Sequence, residues 1–139
     1  ATAILAGAEE PTVAAVVADA PFADLTRYLE ANFSVWTGLP AVPFNRTILA
    51  VTPIVTGLQP EKVSPVQVVS KFGGRPLLLI HGEADDDIAP ENSLELQQAY
   101  PAAELLRVAE ARHVKSYQQD PKRYEAVVLK FLQKVELTH

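Results

Sequence analysis

PLLLIHGEADDDIAPENS, residues Pro76 to Ser93, carries the strongest fold signal in this chain. Leu77 to Ile80 is an uninterrupted apolar run of strand length, the pattern of a strand buried on both faces. The run stops at His81 and Gly82 and gives way to a cluster of acids, Glu83, Asp85, Asp86 and Asp87. Polar residues crowded past the end of a buried strand point to the carboxyl edge of a parallel sheet, where open α/β folds bind their ligands.

Working outward, Ser64 and Pro65 form an N-cap and first-position pair that predicts a short helix over VQVVSKF, stopped by Gly73 and Gly74. On the other side, helix signals run from Pro90 to Tyr100, a strand fits Glu104 to Ala109, and Asp120 with Pro121 opens a final helix to about Glu136. In that helix Tyr124, Val127, Val128, Phe131, Leu132 and Val135 make one apolar face. At the start, the small apolar residues of ATAILAGA predict a buried helix, and VAAVVAD (Val13 to Asp19) predicts the first strand. PFADLTRYLEANF then places Phe22, Leu25, Leu29 and Phe33 at helical spacing, with Asp24 and Glu30 opposite.

From Ala31 to Pro60 the only charge is Arg46, and the stretch holds Phe33, Trp36, Phe44 and four prolines. It has the composition of a lid or partner surface, or of an irregular connection packed into a core. A helix is expected from Asn45 to Leu58, kinked or broken at Pro53. The whole therefore reads as one domain over residues 1–139 with a lid-like segment at about 22–60. Its rhythm of helix, strand, insert, helix, strand, helix, strand, helix argues for an α/β fold with a parallel sheet.

Composition narrows the function classes. A net charge of -5 argues against nucleic-acid binding, which needs a surplus of Lys and Arg on one face. With no cysteine, disulfides and thiolate chemistry are excluded while the redox compartment stays open. No window reaches the roughly 18 apolar residues of a membrane span, and ATAILAGAEE lacks the basic flank of a signal peptide. A soluble protein is expected, and the cytoplasm is its expected location.

The polar residues just past the predicted strands are Asp19, the loop from His81 to Asp87, and His113. A carboxylate after one strand and a histidine after the next can meet above the sheet edge, where the acid fixes the imidazole tautomer and stabilises its cation. Asp86 and Asp87 suit loop solvation or capping near Pro90, though either could partner His113. His81, at a strand end, suits a structural hydrogen bond to the neighbouring loop. An EF-hand loop starting at Asp85 would need glycine sixth and glutamate twelfth, where Pro90 and Leu96 stand, so no metal is expected. The histidines form no zinc-binding spacing either.

Pro76 to Ser93 resembles the strand and loop of α/β-hydrolases that read as apolar strand, His-Gly, two residues, acid, two residues, Val-Pro. In that pattern the acid falls on Asp85, Ile88 takes the place of valine, and the proline moves one place to Pro90. ELLRVAEARHVKSYQQDPKRYEAVVLKFL is similar to the last strand, catalytic histidine and closing helix of the same family, with the histidine at His113; Ala111 and Arg112 stand where a glycine is usual. ATAILAGAEEPTVAAVVADAPFADL is similar to the helix after the nucleophile elbow and to the strand that follows it. The Gly-x-Ser-x-Gly turn of that elbow would end just before Ala1, and no such motif occurs in the 139 residues.

The resemblance implies a partial α/β-hydrolase fold, with about three parallel strands flanked by helices and completed by oligomerisation. It implies a hydrolase of carboxylic esters or related acyl compounds, with Asp85 and His113 as general-base pair, no cofactor, and the usual serine absent. Ser34, Ser64, Ser70, Ser93 and Ser116 are the candidate substitutes, each better suited to capping or solvent exposure. The alternative is a non-catalytic half-domain, or a fragment of a longer serine hydrolase, acting as an assembly module. The expected partners are a small acyl or ester substrate, and either a second copy or the missing N-terminal half, because an unpaired strand edge seeks pairing.

Overall fold

The computed structural model describes residues 1–57 and 59–137, which fall into two compact units, one of residues 1–23 and 65–137 and the other of residues 24–57 and 59–64. The first unit holds the sheet. Strands β1 (Val16–Asp19), β2 (Leu77–Gly82) and β3 (Glu104–Val108) lie parallel in the order β1-β2-β3. Val16 pairs with Leu77 and Asp19 with Ile80, while Leu78 pairs with Glu104 and Gly82 with Val108. All six residues of β2 are buried, as its unbroken apolar run requires.

Side chains alternate across the sheet and build two cores. Leu77 and Leu79 point to one face and pack with Val16, Ala18, Ile4, Phe72 and Leu96. That face is covered by α1 (Thr2–Glu9), by α4 (Pro65–Val68) with the 3-10 turn Val69–Phe72, and by α5 (Glu91–Ala99). Leu78 and Ile80 point the other way, to Leu106, Val108 and Phe131 of α7 (Pro121–Glu136). Each fully buried leucine here contributes roughly 1.5–3 kcal/mol, so a charge at Leu79 would break the first core. A short helix, α6 (Ser116–Gln119), precedes α7, whose first turn is capped by Asp120 accepting from the Arg123 N–H at 3.1 Å.

Local details depart from the sequence expectations for identifiable reasons. Helix α1 buries only Ile4 and Gly7 and exposes Thr2, Ala3 and Ala6. Gly7 is needed on the buried side, because a Cβ there would lie 2.7 Å from Val16 Cγ2. Strand β1 begins at Val16 rather than Val13, where the Val16 N–H first meets the Pro76 carbonyl. In α7 Leu132 is 44% exposed and leaves the apolar face to its neighbours.

In the second unit, α2 spans Leu25–Thr37, later than predicted. Asp24 does not lie on a helix face but caps the helix, accepting from the Arg27 N–H, and Gly38 ends it in the left-handed conformation. The added turn carries Trp36, which meets Tyr28 edge to face at 5.4 Å between ring centroids. Helix α3 spans Ala41–Thr56 and is interrupted at Val42, not at Pro53. Val42 precedes a proline and is pushed to extended backbone, whereas Pro53 stays inside the helix. Leu58, the expected end of that helix, lies outside the described residues, as does His139. The Ser64 hydroxyl, expected to cap the next helix, is buried without a hydrogen bond among the described residues. No described helix is long and apolar enough to cross a membrane.

Candidate active site

The loops that leave β2 and β3 are stitched together at the carboxyl edge of the sheet. The Glu83 N–H donates to the Val108 carbonyl at 2.9 Å, and the Ala84 N–H to the Ala111 carbonyl at 3.0 Å. These bonds hold the segment around His113 against the one around Asp85. Two non-glycine residues in this region have positive φ, Glu110 at 59° and Val114 at 49°. For a β-branched residue such as Val114 that conformation costs of order 1–3 kcal/mol and persists only where the surroundings enforce it.

Asp85 and His113 meet directly. The Nδ1 proton of His113 is donated to Asp85 Oδ2 at 2.9 Å, with the Asp85 side chain fully buried and that of His113 31% exposed. Asp85 Oδ1 accepts from two backbone donors, the Asp87 N–H at 3.0 Å and the Ile88 N–H at 2.9 Å. Oδ1 is therefore held by backbone donors of its own loop, and His113 is left with Nε2 as its basic atom. A buried acid that fixes a half-exposed imidazole in this tautomer can support general-base chemistry.

The neighbouring acids are elsewhere engaged. Asp86 is exposed, 3.9 Å from the Arg112 guanidinium. Asp87 is exposed but close enough that it, Asp85 and His113 could together offer three donor atoms to a cation. Both Asp85 oxygens already accept hydrogen bonds, so a cation there would compete with the His113 proton.

His81 is 1% exposed and bonds the adjacent loop as expected, with its Nε2 2.8 Å from the Ile88 carbonyl. Its second partner, not expected from the sequence, is Ser93 of α5, whose Oγ is 2.6 Å from Nδ1. The available signal was a serine on the inward face of α5 beside Leu96, where a polar side chain needs a partner.

Asp19 ends β1 on the α7 side of the sheet. Its carboxylate has the Ser116 hydroxyl and the Tyr124 hydroxyl at 3.5 Å each, long contacts that hold it weakly. Burial raises its pKa above the usual 3.8, partly offset by the nearby imidazoles and these hydroxyls. Of the serines, Ser93 is turned to His81, Ser116 is buried against Asp19, Ser64 is buried, and Ser34 and Ser70 are exposed. Among the described residues no serine is hydrogen-bonded to His113.

A model of the prolyl oligopeptidase family matches residues 1–137. No curated protein sequence matches the chain significantly. Among solved structures, the chain is similar to an esterase from Pyrococcus furiosus, at 23% identity and a TM-score of 0.67, over 94% of this chain and 48% of that one. It is similar to an α/β-hydrolase from Penicillium at 16% identity and a TM-score of 0.66, over 95% and 59% of the two chains. An acylaminoacyl peptidase from Pyrococcus horikoshii matches at 20% identity and a TM-score of 0.60, over 95% of this chain and 22% of that one. The shared fold is that of the α/β-hydrolases, and the chain spans only about half the length of the first of these structures.

Proposed function

This chain belongs to the prolyl oligopeptidase family, and on that premise we propose that it supplies the acid and base of an acyl hydrolase acting on carboxylic esters or related acyl compounds. The observation that carries this reading is the 2.9 Å bond from His113 Nδ1 to the buried Asp85. Nε2 of His113 takes the proton of a hydroxyl as its oxygen bonds to the acyl carbon. Asp85 stabilises the imidazolium so formed, and the imidazolium returns the proton to the leaving group as the acyl bond breaks.

The attacking hydroxyl belongs to water or to a serine from another segment or chain, since none of the described serines is bonded to His113. The similarity to an esterase and to an acylaminoacyl peptidase supports acyl compounds as the substrate class. Hydrolysis of a short-chain p-nitrophenyl ester by the chain and by its His113→Ala variant tests the reading. Turnover lost in the variant supports it, and equal rates overturn it.

A second reading is favoured by the sheet itself. β1 is an outer strand with no partner on its far side among the described residues. In this reading the chain is a non-catalytic half that assembles with a second copy or with the missing portion of a hydrolase. A covalent fluorophosphonate adduct on the purified chain would count against it.

A further inference from the structure

We propose that His81 is a positioning residue for Asp85: held in one tautomer by Ser93, it fixes through the Ile88 carbonyl the loop whose N–H groups turn the buried carboxylate toward His113. This rests on the reading of Asp85 and His113 as acid and base, and it concerns two residues to which that reading gives no part.

The two ring nitrogens of His81 have different surroundings. Nε2 lies 2.8 Å from the Ile88 carbonyl oxygen and 3.4 Å from Asp85 Oδ2. Both oxygens are acceptors only, so Nε2 carries a proton. Nδ1 lies 2.6 Å from Ser93 Oγ, a group able to donate. With the hydroxyl donating to Nδ1, the neutral ring has both nitrogens paired, as its burial demands. The imidazole thus ties three segments together: the end of β2, the loop at Asp85 to Ile88, and the first turn of α5.

The consequence falls on the carboxylate. An aspartate rotates broadly about its last torsion and its two oxygens turn together, so whatever fixes the loop that grips Oδ1 also sets the direction of Oδ2. Here the Asp87 and Ile88 N–H groups hold Oδ1, the His113 proton is donated to Oδ2, and His81 Nε2 bonds the Ile88 carbonyl of the same loop while lying 3.4 Å from Oδ2. Because His113 is partly exposed and His81 is buried, His81 is the fixed member of that pair. Its proton goes to the Ile88 carbonyl, so it steadies the loop that holds Oδ1 without displacing His113 from Oδ2.

The tautomer of His113 reports this directly, since free imidazole prefers its proton on Nε2 and a well-placed acid draws it to Nδ1. Two-bond proton–nitrogen spectra of the histidine-labelled chain at alkaline pH are expected to show His113 protonated on Nδ1 and His81 on Nε2. In His81→Leu, His113 should lose most of its Nδ1–H form. His81→Gln, which returns an amide donor near the Nε2 position, should restore it. Ser93→Ala should shift His113 part of the way.

An unchanged His113 tautomer in folded His81→Leu, or in Ser93→Ala if the leucine variant does not fold, overturns the proposal. The readout is independent of turnover. Coupled tautomers in a chain without esterase activity would sink the hydrolase reading and leave this one standing. Activity that depends on His113, together with a tautomer indifferent to His81 and Ser93, would do the reverse.

Discussion

A Cβ atom on Gly82 would lie 2.2 Å from the carbonyl oxygen of Ala111. The loop that carries His113 therefore crosses the end of β2 at a distance only glycine permits, and the same carbonyl is tied to the Ala84 N–H. Gly82→Ala should force the two loops apart, with the destabilisation of an overpacked site, roughly 1–3 kcal/mol. Urea unfolding would measure that loss, and esterase activity should fall with it as His113 moves off Asp85. A variant of unchanged stability would mean that the crossing is slack.

Asp85→Asn keeps an oxygen for the Asp87 and Ile88 N–H groups but turns an amide toward His113. The imidazole would then be held in the opposite tautomer. Esterase turnover should drop by about three to four orders of magnitude, as for such a change in a serine-protease triad, with thermal stability near that of the unaltered chain. Equal loss of fold and activity would instead mark Asp85 as a structural residue.

Asp19 gives a pH test. Burial raises its folded pKa above the unfolded value near 3.8, so the folded state binds the proton more tightly than the unfolded state. Its favourable contribution is complete below the unfolded pKa and is lost as pH rises through the folded pKa. Asp19→Asn should accordingly raise the melting temperature at neutral pH, with the advantage shrinking as the pH falls toward 3.8. A penalty at neutral pH would show that the Ser116 and Tyr124 hydroxyls stabilise the carboxylate more than burial costs it.

Asp120 closes the first turn of α7 by accepting from the Arg123 N–H. Asp120→Ala should cost about 0.5–2 kcal/mol, the usual worth of a helix cap. Chemical denaturation would measure it.

On β1, Val16 and Ala20 direct their N–H groups inward to the Pro76 and Ile80 carbonyls. Alternation then sends the N–H of Val17 outward, to the unpaired edge. If that edge pairs with a second copy, the chain should sediment as a dimer or larger, and Val17→Pro should weaken the association while leaving the pairing of β1 with β2 in place. A stable monomer at dilute concentration would sink the assembly reading.

Much of this molecule could be read along the chain because the relevant physics is local or periodic. Leu77 to Ile80 had to be a fully buried strand, Asp120 and Pro121 had to open a helix, and the order of elements required parallel strands. Asp85 and His113 could be picked out as candidates from their places after β2 and β3. Capping is less so: the spacing of its apolar neighbours puts Asp24 on a helix face although it caps the helix, and Ser64 reads as a cap but is buried without a bond among the described residues.

Consecutive residues alone carry the α/β class, the three strands, and Asp85 and His113 as candidates, since strand periodicity and the ends of strands are local patterns. The meeting of distant segments was needed to show that His113 gives its Nδ1 proton to Asp85 Oδ2, that Ser93 belongs with His81, and that Gly82 must have no side chain. Each of these depends on segments distant in the chain meeting within 3 Å or so of one another, and no local pattern encodes which hydroxyl, carbonyl or ring will arrive there.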